Sequence, residues 1–422
     1  MNAESAKLSL QKSENEVGEN APVGIYLVGA GVVGRAILQT HIDAGTSVWL
    51  VDQDEQALRL AVGGINWDCD AWTVSELQKL GDSLLAMELR CLGDKGQCRP
   101  TMVIESIVEK LNVKQRFFAE VEQVFGADAV LCSNTSTLPI SRIAESMQRP
   151  ERFAGMHFFM PVHDRHAVEL IAGHKTTPAT TQACTDHVHQ LGKKPLVVGD
   201  GPGFVVNRLL SPYLNEAMLM LCRGISAERI EKAALRYGMP MSPLELIDWI
   251  GTPTMFDAGR VFWQAFPKRL DPAPILVAMI KSNRLGRAVD AGFYDYVDGH
   301  RSEGLATRSS ELCMEYCRSE WSLEDGQIME LLSIPMWIEA ACAYKDGTVT
   351  SHDSFDLAMS GGLGYVPANS WHRFFESLGS ARILHAIESW AEQTRAMNAP
   401  MTLRKLLRSS GPTQALIAYA RG

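Results

Sequence analysis

One short stretch has the residues and spacing to hold a dinucleotide. Gly29-Ala30-Gly31-Val32-Val33-Gly34 places glycine in a GxGxxG pattern. In such a loop the first glycine permits a tight turn. The second lets the backbone approach a pyrophosphate, and the third lets helix and strand pack closely. A helix starting there offers free N–H groups and a partial positive charge to phosphate. Asp52 lies 18 residues beyond the last glycine. A carboxylate at that distance accepts from a ribose 2′-hydroxyl and repels a 2′-phosphate. The pattern predicts NAD rather than NADP, held by Gly29, Gly31, Gly34 and Asp52. An FAD site shares the glycine motif but not the groups that follow.

Those groups suit proton chemistry. Ser136 closes SNTS (133–136), His157 sits in GMHFF (155–159), Glu169 follows 12 residues on, and Asn207 lies in PGFVVNR (202–208). Each alone is weak: a histidine in an apolar strand is usually a satisfied core residue, and an asparagine at a helix start is usually a cap. As a set they fit oxidation of a secondary alcohol, which needs a base for the hydroxyl proton. Neutral histidine suits that task. A carboxylate on its other nitrogen fixes the tautomer and stabilises the imidazolium. Serine and asparagine donors can hold a carbonyl and a developing oxyanion.

The elements that must position these groups alternate. VGIYLV (23–28), SVWLV (47–51), MVIES (102–106), AVLCS (129–133), FAGMHF (153–158), VELIA (168–172) and PLVV (195–198) read as strands, with helical patterns between many of them, as at 112–124 and 177–191. Strands spaced by helices imply a parallel, doubly wound α/β sheet of Rossmann type. After GDGPG (199–203) long helical periodicities dominate, and no strand is expected beyond 200. The helical part contains an internal repeat: Glu216 and Glu339, and Gly224 and Gly347, are both 123 apart. The expected organisation is a disordered leader over 1–21, an NAD-binding domain over 22–200, and two tandem all-α domains over 201–300 and 301–422.

Composition excludes several classes. The net charge of −9 with mixed signs argues against nucleic acid and anionic membrane as partners. No apolar run is long enough to span a bilayer, and the polar N-terminus lacks the apolar core of a secretory signal. Nine cysteines without regular spacing form no disulfide framework. Cys313 and Cys317 have no second pair, so no metal site is expected. These features predict a cytoplasmic protein.

In order and spacing, SNTST, RPERFAGMHFF, GKKP, GPGFVVNRLL and YGMPMSPLELID resemble the 3-hydroxyacyl-CoA dehydrogenase family, from about residue 22 to about 380. The resemblance implies an NAD-dependent enzyme acting on a 3-hydroxyacyl thioester, on coenzyme A or on an acyl carrier protein. It casts His157 as the catalytic histidine with Glu169 as its carboxylate partner, and Ser136 and Asn207 as substrate-holding residues. It places Glu109 and Lys114 in the lining of the cofactor site. The tandem helical copies resemble the dehydrogenase part of the multifunctional fatty-acid oxidation proteins. There the second copy supplies within one chain the partner that short relatives recruit from a second subunit. Further homodimerisation is compatible with this.

Three positions depart from the family pattern. Met160 replaces the asparagine of HFFNP, and a thioether makes no strong hydrogen bond. Ala288 replaces a lysine, with Arg284 or Arg287 as candidate substitutes. The segment GGINWDCDAWTVSELQKL (63–80), where the family has a lysine-rich arm, carries Asp68, Asp70 and Glu76 against one base, Lys79. Two alternatives follow: a dehydrogenase specialised for a carrier-bound hydroxyacyl group or a free hydroxy acid, and an impaired NAD-binding partner subunit.

Overall fold

The computed structural model describes residues 23–46, 48–62, 69–72, 85–89, 99–125, 128–317, 319–366 and 370–422. The leader 1–21 lies outside them, as does the acidic 63–80 stretch apart from one short strand. The chain divides into two compact units, Met1–Pro195 and Leu196–Gly422.

The first unit is built on β1 (Val23–Val28), α1 (Val32–Asp43), β2 (Val48–Asp52), α2 (Glu55–Val62), β3 (Cys69–Trp72), β4 (Leu85–Leu89), β5 (Arg99–Glu105), α3 (Leu111–Phe125), β6 (Val130–Ser133), β7 (Phe153–Phe158), β8 (Ala167–Ala172) and α4 (Pro178–Gln190), and the division between the units falls inside the last strand, β9 (Lys194–Gly199). The strands form one sheet in the order β3-β4-β2-β1-β5-β6-β7-β8-β9. From β2 through β1, β5 and β6 to β7 the pairing is parallel. Residues in β7 are buried throughout, and those in β8 nearly so. Strands covered on both faces read as continuous apolar runs, which is why their sequences do not alternate. The strand order reverses at β1, so a crevice opens beyond the C-terminal ends of β1 and β5. The pair β3–β4, in which β4 runs antiparallel to both β2 and the edge strand β3, was not legible in the sequence.

The second unit is helical. Its frame is α5 (Val206–Leu221), α6 (Ala227–Tyr237), α7 (Pro243–Ile250), α8 (Thr252–Ala265), α9 (Ile275–Lys281), α10 (Thr307–Tyr316) and α11 (Asp325–Lys345), followed by shorter helices to α-helical Pro412–Arg421. Local signals set the boundaries. Ser226 caps α6 by accepting from Arg229 N, and Gly238, at φ 111°, closes it in the left-handed region. A reciprocal pair of bonds between Glu324 and Gln327 opens α11. The repeated helices α5 and α11 pack on one another and are buried along almost their whole length. The expectation of no strand beyond 200 is corrected by a hairpin, Tyr296–Val297 with His300–Arg301. Its two-residue turn, Asp298-Gly299, has both φ angles positive, and Asp-Gly is the dipeptide that such a turn favours.

Candidate active site

The glycine loop joins β1 to α1, and each glycine has its own reason. Gly29 has φ 107°, and a Cβ there would lie 2.5 Å from the Ser106 carbonyl oxygen. A Cβ on Gly34 would lie 1.8 Å from the Gly29 carbonyl oxygen. At Gly31 a Cβ would meet nothing within 4 Å, so space stands open over the loop. No side chain caps α1. Asp52 ends β2 and accepts from Ala30 N at 2.7 Å and Asp54 N at 2.9 Å. The loop, the open space and the carboxylate fit a dinucleotide with its pyrophosphate at the helix start and its ribose at Asp52.

Beyond β5 a second acid organises the next loop. One oxygen of Glu109 accepts from Thr135 Oγ1 at 2.6 Å, Ser136 N at 3.0 Å, Thr137 N at 3.1 Å and Thr137 Oγ1 at 3.1 Å. Burial pushes the Glu109 carboxyl up, but Lys114 and these donors outweigh it and hold it below the usual carboxylate range. Lys114 is itself buried. It pairs with Glu109 at 3.4 Å and, more closely, with Glu105. Glu105 also accepts from Ser133 Oγ at 2.7 Å and Ile107 N at 2.6 Å. Lys114 thus supports Glu109 from beneath. Glu105 was missed from the sequence, although a glutamate inside an apolar strand must find a cation.

His157 and Glu169 face each other across the antiparallel β7–β8 pair. His157 Nδ1 stands 2.8 Å from Glu169 Oε2, with Glu169 fully buried. A carboxylate only accepts, so Nδ1 is the donor in this bond, which in the neutral ring leaves the acceptor role to Nε2. Phe159 lies edge-on to the imidazole, centroids 4.9 Å apart. Asn134, also missed, ties the loop before it to this strand: its Oδ1 accepts from Phe158 N at 2.8 Å and its Nδ2 donates to Ser106 Oγ. The Met160 side chain is exposed.

The first unit therefore brings together the glycine loop with Asp52, Glu109 with Lys114 and the Ser136 backbone, and His157 with Glu169. Asn207 belongs to the second unit, in the first turn of α5, partly exposed. Its repeat counterpart Glu330 is buried and accepts from Arg382. Neither substitute for the lost lysine is idle: Arg284 donates to Gly292 O, Tyr294 O and Asp295, and Arg287 stacks on Trp249 at 3.8 Å and donates to Gly299 O.

A dinucleotide crevice beside a histidine–carboxylate pair defines a dehydrogenase class. Residues 24–201 match the NAD-binding domain, and residues 203–296 the C-terminal domain, of 3-hydroxyacyl-CoA dehydrogenase. Over 412 residues the chain is 30% identical to the fatty acid oxidation complex subunit alpha of Pseudomonas entomophila, covering 94% of this chain and 57% of that protein. It thus spans little more than half of that relative's length. Among solved structures, (S)-3-hydroxybutyryl-CoA dehydrogenase of Ralstonia eutropha is 30% identical, with a TM-score of 0.54 over 66% of this chain and 100% of that one. The 3-hydroxybutyryl-CoA dehydrogenase of Escherichia coli shares the fold, with a TM-score of 0.70 at 22% identity over 96% of this chain and 100% of that one. The chain belongs to the 3-hydroxyacyl-CoA dehydrogenase family. No described helix is long and apolar enough to cross a membrane.

Proposed function

We propose that this chain catalyses NAD-dependent oxidation of a 3-hydroxyacyl thioester to the 3-oxoacyl thioester, or the reverse, with His157 as general base. The observation that carries this is the His157–Glu169 pair in the same unit as a glycine loop fitted to a dinucleotide. When bound, NAD supplies the hydride acceptor. Gly29, Gly31, Gly34 and Asp52 hold the dinucleotide, and Glu109, supported by Lys114, fixes the Ser136 loop. Nε2 of His157 takes the hydroxyl proton. Glu169 holds the ring in the accepting tautomer and balances the charge that forms. Ser136 holds a substrate oxygen. The decisive experiment replaces His157 by Gln and follows NADH formation from 3-hydroxybutyryl-CoA. The expected rate is lower by ~10²–10⁴-fold, with NAD affinity nearly intact. A near wild-type rate would reject the assignment.

The acidic 63–80 stretch supports a second reading, a thioester carrier other than coenzyme A. Each lost charge-assisted phosphate contact forfeits about 1.5–3 kcal/mol, whereas a pantetheine-only carrier loses nothing. On this reading kcat/KM is similar for one hydroxyacyl group on coenzyme A, pantetheine and an acyl carrier protein. A hundredfold preference for the coenzyme A ester returns the chain to ordinary acyl-CoA oxidation.

A further inference from the structure

We propose that the helical unit holds a second ligand site, for a small organic anion with an apolar body. The repeated helices each carry an internal proline at the equivalent position, Pro212 in α5 and Pro335 in α11. Both prolines line a cavity of about 440 Å³. That volume falls within the ~300–1,000 Å³ of small-molecule sites. Phe262, Ile338 and Tyr419 extend the apolar wall.

The charge around this cavity is one-sided. Lys268, Arg269, Arg395 and Arg404 line it, against the single carboxylate of Glu339. Glu339 accepts from both Arg208 and Arg269, and Arg208 also pairs with Asp346, so that cluster is balanced. Arg395 is met by Asp271 at 3.1 Å. Lys268 and Arg404 have no carboxylate partner among the described residues. Arg404 donates to Ala399 O at 2.8 Å and Asn398 Oδ1 at 2.6 Å, two neutral acceptors that fix its fork without cancelling its charge. A guanidinium fork and an ammonium lining one cavity suit a carboxylate or phosphomonoester head. The prolines and Ile338 offer its apolar body a surface. None of these residues belongs to the proposed dehydrogenase machinery, so the site stands or falls independently of it.

The test is equilibrium binding of octanoate, octyl phosphate, octanol and inorganic phosphate to the full chain, beside the Lys268→Gln/Arg404→Gln double variant. Saturable one-to-one binding of octanoate or octyl phosphate is expected, the tighter of the two naming the head group. Octanol should bind at least tenfold more weakly, and the double variant should lose tenfold or more while NAD affinity, reporting an intact fold, is unchanged. The proposal is overturned if neither anion saturates, if octanol binds as well as the anions, or if inorganic phosphate alone binds as tightly as octyl phosphate. It is also overturned if the folded double variant retains wild-type affinity.

Discussion

Glu109 does its work through a single oxygen that gathers four donors from the Thr135–Thr137 loop. Replacing it by Ala should loosen that loop and lower kcat/KM for the hydroxyacyl substrate, whereas Gln, which keeps the acceptor, should retain most of the activity. Equal activity of wild type, Ala and Gln variants would show that the clamp is irrelevant to turnover. At Asp52 the carboxylate is the discriminating group. Asp52→Arg should weaken NAD and relax the exclusion of NADP, read as the ratio of their dissociation constants. An unchanged ratio would remove Asp52 from the cofactor site. Asp52 was legible because it closes a strand at a fixed distance from a glycine motif. Glu105 and Asn134 were not, because Ser133 and Phe158 are distant in sequence, and they, like Lys114 on the following helix, meet their partners only through the fold.

At the scale of elements, the strand-and-helix alternation was readable because buried parallel strands are short apolar runs. The pairing of His157 with Glu169 was implied by the family resemblance and not by their spacing alone, since their opposition depends on the β7–β8 register. The Asp298-Gly299 hairpin was a missed local signal. Between α1 and α4 lies a contact with no sequence signature: His41 and His187, 146 residues apart, bring their Nε2 atoms to 3.0 Å. Burial pushes His41 down to about 4, and burial with His41 beside it pushes His187 down to about 3. A histidine with a depressed folded pKa contributes stability above its unfolded value of ~6.5 that is lost as pH falls through the folded value. Denaturant midpoints should therefore drop as pH falls from 6.5 to about 4. His41→Leu should flatten that slope, and an unaltered slope would place the acid sensitivity elsewhere.

For the molecule as a whole, the repeat spacing anticipated that α5 and α11 would pack together. Ending the chain after about residue 300 removes α11, the helix that packs on α5, and so uncovers part of a helix now buried along almost its whole length. The truncated protein should aggregate or dimerise, as judged by its elution volume and light scattering. A soluble active monomer would contradict the packing argument. The equivalent acids Glu216 and Glu339 have diverged. Glu339 sits between Arg208 and Arg269, whereas among the described residues Glu216 accepts only from uncharged donors, Thr394 Oγ1 at 2.9 Å and Asn215 Nδ2 at 3.3 Å. Burial pushes Glu216 up to about 8. A raised acid contributes stability that is fully present below its unfolded value of 4.5 and lost as pH rises from there to about 8, so Glu216→Gln should flatten the stability profile between those two values. Read as tandem copies on their 123-residue spacing, the two halves have a freedom that a symmetric dimer lacks. In a symmetric homodimer every substitution arises twice, and its energetic penalty is doubled along with it. In a chain that contains both halves, a change strikes once. One half can then accumulate charge, lose it, or build a cavity wall without imposing the same alteration on its twin.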